Sequence, residues 1–113
     1  RHKKVANAVH AGIESLGLDF VAEENYRAYT VTGFHVPEGK AISIQSELKS
    51  RFNVEVASGF GDMKNNAIRV GHMANIGHNE VGRFLNGLES ILSKYDNTIK
   101  KGTVVNAISQ SLK

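Results

Sequence analysis

Arg69 is the residue whose type and setting first invite chemistry. It stands in the run Ala67-Ile68-Arg69-Val70-Gly71, whose branched residues predict a strand. On period-two logic Ile68 and Val70 share one face, and Arg69 shares the other with Ala67 and Gly71. Small neighbours leave room beside the guanidinium for a planar partner such as a carboxylate. Arginine suits that partner because its fork bonds a carboxylate bidentately and its charge does not titrate away. Spacing alone also admits a solvated strand residue or one half of a structural ion pair, the commoner fates of a charged side chain.

The other chemically suggestive residues form weaker patterns. Gly59-Phe60-Gly61 has the glycines of a phosphate loop, but no G-x-G-x-x-G or Walker pattern follows and no helix starts directly behind it. Ser58-Gly59-Phe60-Gly61 is therefore read as a flexible turn that brings backbone close to a neighbour. His72 and His78 are separated by Met73-Ala74-Asn75-Ile76-Gly77, which is not helical ligand spacing and contains no carboxylate. His2 and His10 lack a partner four residues away, so no metal site is expected. The chain has no cysteine, which removes a disulfide framework, a thiolate nucleophile and a thiolate metal site together. No serine or lysine is expected to act as a nucleophile, and neither a G-x-S-x-G nor an S-x-x-K motif is expected.

The elements that must position Arg69 are legible from periodicity. In residues 1–16, Val5, Val9, Ile13 and Leu16 make the apolar stripe of an amphipathic helix that Gly17 is placed to end. Residues 18–25 read as a short edge strand or extended connection. Residues 29–36 are rich in β-branched and aromatic types and stop at Pro37, giving the clearest strand. After the Glu38-Gly39 turn, Ile44, Leu48 and Phe52 recur every four residues on a second helix, and residues 54–57 read as a brief strand. Asn79 suits an N-cap with Glu80 in the first turn. Behind it Val81, Phe84, Leu85, Leu88, Ile91 and Leu92 form the strongest helical stripe. A polar connection over residues 94–101 leads to a last short helix carrying Val104, Val105, Ile108 and Leu112. The order α-β-α-β-β-α-α predicts an α+β domain, with a small three- to four-stranded, largely antiparallel sheet covered by helices on one face.

At 113 residues, 41% of them hydrophobic, the chain predicts one domain with a real core over positions 1–113. Its net charge of +3 is small, and three cations, Arg1, Lys3 and Lys4, fall in the first four residues. Lys100-Lys101 lacks interleaved aromatics, so a nucleic-acid surface is not supported. No apolar run is long enough to cross a bilayer and no signal-peptide pattern is present, which makes a cytoplasmic location the expectation. The first residue is not methionine and falls within a helical pattern, so a partial polypeptide is expected.

Ile68-Arg69-Val70-Gly71-His72-Met73 closely resembles the R-[IV]-G-H-M-G signature near the end of class V aminotransferases, the alanine–glyoxylate and serine–pyruvate type of the fold-type I pyridoxal-phosphate group. Arg1-His2 followed by Val5-Ala6 resembles the helix entering that family's small domain. Val31-Thr32 and Val36-Pro37-Glu38-Gly39 resemble its strand and turn. Ser58-Gly59-Phe60-Gly61 stands where the family has G-G-L-G, and residues 80–92 resemble its closing helix. The likeness spans roughly positions 1–93, and residues 94–113 resemble a helical C-terminal extension found in some prokaryotic members. Ala74 and Ser58 stand where the family has glycine.

The resemblance implies that Arg69 binds the α-carboxylate of an amino-acid or oxo-acid substrate. It further implies a full-length homodimeric enzyme that transfers an amino group from alanine, serine or aspartate to glyoxylate or pyruvate. The Schiff-base lysine and the acidic partner of the cofactor's pyridine nitrogen would lie in a large domain upstream, absent from this chain. The chain then holds substrate-binding Arg69 but no catalytic, cofactor-binding or metal-binding residue, and alone is expected to be inactive and free of pyridoxal phosphate. Its movement against the large domain is expected to help close the site. The alternative is a stand-alone module that holds an amino acid or another carboxylate on Arg69 without chemistry.

Overall fold

A computed structural model of the chain describes residues 2–21, 31–59, 61–71 and 78–111. The first apolar stripe forms α1, His2–Ser15, and buries Val5, Val9 and Ile13, with Leu16 buried just beyond its end. Gly17 stops it at φ +78°, a left-handed conformation that glycine adopts without Cβ strain. Its N–H donates to the Glu14 carbonyl at 3.0 Å, and the Leu18 N–H reaches the Ile13 carbonyl at 3.4 Å.

The remaining elements are β1 (Val31–His35), α2 (Ala41–Phe52), β2 (Ala57–Ser58), a single 3-10 turn at Gly61–Met63, β3 (Ala67–Gly71), α3 (His78–Leu92) and α4 (Thr103–Ser111). The three strands form one antiparallel sheet in the order β1-β3-β2, so the arginine strand is central. Residues 19–21 lie along the outer edge of β1. Phe20 bridges Phe34, the Val21 N–H donates to Gly33 O, and the His35 N–H donates to Asp19 O. The expected edge segment is thus present as far as residue 21, and its remainder falls outside the described residues.

Register decides the faces. Thr32 lies opposite Val70 and Phe34 opposite Ile68, so these four side chains share one face, and all four are buried. The helices cover that face. Phe34 meets Phe84 of α3 with ring centroids 6.1 Å apart, and the buried side chains of α1, α2, α3 and α4 belong to the same apolar core. All six apolar residues of the α3 stripe are buried. In α4, Val104 is fully buried and Ile108 packs against the core, while Val105 is about half exposed and points away. Leu112 lies outside the described residues.

Two boundaries differ from the sequence expectation. The second strand is Ala57–Ser58 rather than residues 54–57. The backbone before it is already engaged by α2: the Val54 N–H donates to Leu48 O at 3.0 Å and Gln45 Nε2 donates to Val56 O at 3.0 Å. The helix expected to start at Asn79 begins with His78, which places Asn79 inside the first turn rather than at the cap.

Candidate functional site

Arg69 sits in the middle of the sheet, on the face opposite Ile68 and Val70. Gly33 of β1 lies opposite it on one side and Ala57 of β2 on the other. Small residues thus flank Arg69 on both neighbouring strands as well as along its own. Over Gly33 the Val21 side chain takes the vacant space, 3.4 Å from where a Cβ would stand. Arg69 itself is half-buried, and its Nε donates to the Ser58 carbonyl at 3.0 Å. Ala67, although on the same face, is buried, and the backbone at the start of β3 is paired on both sides. The Gly59 N–H donates to Ala67 O and the Val36 N–H to Asn66 O.

The start of β3 is tied to the turn after β1 by two consecutive asparagines. Gly39 N–H donates to Asn66 Oδ1 at 2.9 Å and Ile42 N–H to Asn65 Oδ1 at 3.0 Å. Ala41 N–H adds a bond to Asn65 O at 3.2 Å. Asn65 thus satisfies the first amides of α2 from across the fold, where Lys40 makes no side-chain cap. This arrangement carries no local sequence signal, since the asparagines stand more than 20 residues from the amides they serve. His35 is a second residue that the sequence did not single out. Period two places it on the Arg69 face, at the register position opposite Ala67.

The remaining candidates do not converge on Arg69. His10 bonds Thr32 at 2.9 Å and meets the Phe20 ring edge-on, tying α1 to the buried face of the sheet. The side chains of His2, His72 and His78 lie outside the described residues. Among those described, no group of three or more histidines, cysteines or acids is placed to hold a metal ion. Ser46 and Lys49 form an S-x-x-K string that the expectation of no nucleophile passed over. Both are exposed on α2, and Lys49 pairs with Glu55, so the serine has no desolvated base beside it. No described helix is long and apolar enough to cross a membrane.

Elsewhere, Glu47 of α2 accepts from Arg51 and, at 2.7 Å, from Lys94 beyond α3. The hydrogen bond from Lys94, then that from Arg51, holds the Glu47 carboxyl below the ordinary carboxylate range, against the opposing effect of burial. Glu89 is a buried carboxylate on α3 that accepts from the Val104 N–H at 3.0 Å and the Gly102 N–H at 3.3 Å. It serves as the N-terminal cap of α4 and compensates the positive end of that helix.

No family model matches the chain. An uncharacterized aminotransferase of Methanocaldococcus jannaschii is 33% identical over 105 residues, covering 92% of this chain and 27% of that protein. The small subunit of a soluble hydrogenase from Synechococcus sp. is 28% identical over 95 residues, covering 83% of this chain and 24% of its own length. The crystal structure of ureidoglycine–glyoxylate aminotransferase from Bacillus subtilis superposes with a TM-score of 0.87 at 28% identity, over 99% of this chain and 30% of that one. The chain thus spans about a quarter of the length of the curated relatives it matches.

Proposed function

The chain belongs to the class V aminotransferase family, and from that premise we propose that it is the family's C-terminal small domain and supplies the substrate-carboxylate arginine, Arg69. The observation that carries the reading is the setting of Arg69. A half-buried guanidinium, flanked across the sheet by Gly33 and Ala57, lies on the face that the core does not use. A fixed fork in a partly desolvated setting binds a carboxylate better than a solvated cation does. The reacting amino or carbonyl carbon of an α-amino or α-oxo acid is bonded directly to that carboxylate. Holding the carboxylate therefore fixes the distance and attitude of the carbon at which transfer occurs.

The rest of the chemistry belongs elsewhere in the full-length protein. When bound, pyridoxal phosphate supplies the electron sink for amino-group transfer. The described side chains of this chain do not fit that group. A lysine that condenses with it must be desolvated or otherwise depressed in pKa, yet every described lysine is exposed, and Lys49 and Lys94 are committed to Glu55 and Glu47. A large domain preceding this one holds the cofactor, the full-length protein is a homodimer, and residues 94–113 belong to the small domain.

The substrate pair in this reading is a small amino acid, alanine, serine or aspartate, with glyoxylate or pyruvate as acceptor. The experiment is an amino-transfer assay on the full-length protein with each donor and acceptor, beside the 113-residue chain alone. The full-length protein is expected to bind pyridoxal phosphate and convert at least one pair, and the chain alone none. A full-length protein that binds the cofactor but transfers no amino group overturns the assignment.

A further inference from the structure

Gly59 lies in the loop between β2 and the 3-10 turn. A Cβ there would stand 2.6 Å from the Met63 carbonyl oxygen and 3.0 Å from the Met63 carbonyl carbon. That oxygen cannot swing aside freely, because it already accepts the Asn66 N–H at 3.0 Å. Only glycine allows the loop to fold back so closely. The peptide unit entering Gly59 is held at both ends. Its N–H donates to Ala67 O of β3 at 2.9 Å, and its carbonyl, that of Ser58, accepts Arg69 Nε at 3.0 Å. The described residues contain no cis peptide, so the N–H and the carbonyl of this unit point in opposite directions. The N–H faces the sheet, the carbonyl faces outward beyond β2, and the Arg69 side chain reaches across the strand edge to meet it.

We propose that Gly59 is a positioning residue for Arg69: by admitting the Met63 carbonyl, it fixes the Ser58–Gly59 peptide whose oxygen anchors Nε and thereby sets the plane of the guanidinium. The proposal rests on the reading of Arg69 as the carboxylate ligand. Arginine is required because its Nε–H and its terminal nitrogens lie in one rigid plane, so an anchor on the first orients the others. With Nε turned to Ser58, the edge made by the two terminal nitrogens is the one that faces away from this anchor. A lysine has no second nitrogen to anchor.

Two measurements test this. In the 113-residue chain, exchange of the Arg69 Nε–H, followed by 15N NMR, is expected to be at least tenfold slower than in a blocked arginine peptide. Exchange at the free-peptide rate overturns the anchor without any substitution. In the full-length protein, Gly59→Ala is expected to raise KM for the oxo acid and the amino acid roughly two- to tenfold, part of the worth of one charge-assisted hydrogen bond. Its kcat should stay within about twofold and its cofactor absorbance should be unchanged, which a general loss of structure would not spare. Arg69→Ala serves as the reference arm. If Arg69→Ala raises KM and folded Gly59→Ala does not, the positioning role is wrong and the carboxylate reading stands. If Arg69→Ala leaves KM unchanged, the carboxylate reading itself fails. If Gly59→Ala does not fold, the exchange measurement decides alone.

Discussion

The Glu47 carboxylate is shared by two cations, Arg51 one helical turn along α2 and Lys94 beyond the end of α3. Hydrogen bonds from both lower its pKa in the folded state, so the group contributes stability above its unfolded value of about 4.3 and loses it as pH falls through the folded value. Both cations are about half exposed, so the contribution is about 0.5 kcal/mol, as for other surface pairs. Urea denaturation of the chain and of Glu47→Gln should differ by that amount at pH 7 and converge near pH 2. A difference that persists at low pH contradicts the account. Of the two partners, Arg51 is legible from its spacing of four, whereas Lys94 is 47 positions distant and reaches Glu47 only through the packing of α3 on α2. Arg69 divides in the same way. Its face follows from period two, because alternation along a strand is independent of what lies beside it, and the size of its neighbours on β3 is plain from their types. Gly33, Ala57 and the Ser58 carbonyl come to it through cross-strand register, which no local pattern encodes.

At the scale of elements, the helices are nearly all legible because each buries one stripe, and their N-terminal caps are not. The amides that open α2 are satisfied by Asn65, and those that open α4 by Glu89, in both cases from a different part of the fold. β2 was misplaced for a related reason, since the backbone of residues 54–56 turns to α2 before it turns to the sheet. Packing also separates glycines that look alike in sequence. Gly12 lies where α1 crosses α3, and a Cβ there would stand 2.5 Å from Leu85 Cδ1, a fully buried side chain. Gly82 of α3 has nothing within 4 Å of its Cβ position. Alanine raises helix propensity at either site by about 1 kcal/mol, but overpacking costs about 1–3 kcal/mol. Gly82→Ala is therefore expected to stabilise the chain by about 0.5–1 kcal/mol. Gly12→Ala should lower its stability, and thermal melts of the two variants should move in opposite directions. Equal shifts would show that α1 and α3 do not pack as closely as described.

For the molecule as a whole, the radius of gyration is 12.8 Å. An independent domain of this length is expected at about 13 Å. Density of that order agrees with a core of its own, and α4 contributes to it through Val104. The described part of the expected helical extension, residues 94–111, joins the packing through α4. Ending the chain at residue 93 should cost more than about 3 kcal/mol, from the lost burial of Val104 and Ile108 and from a buried Glu89 left without its amides. Chemical denaturation would register that loss, and an unchanged midpoint would make α4 an appendage. The sequence conveys that an arginine lies on the face away from the core, and conveys nothing of what stands opposite it. The central claim is that Arg69 holds the substrate carboxylate in the full-length aminotransferase. Its most direct test is substrate affinity in Arg69→Lys and Arg69→Gln, each read beside cofactor absorbance. Loss of a bidentate charged pair predicts KM for both the amino acid and the oxo acid raised roughly 10- to 150-fold in Arg69→Gln, with only partial recovery in Arg69→Lys and the cofactor retained. KM values unchanged in Arg69→Gln would contradict it.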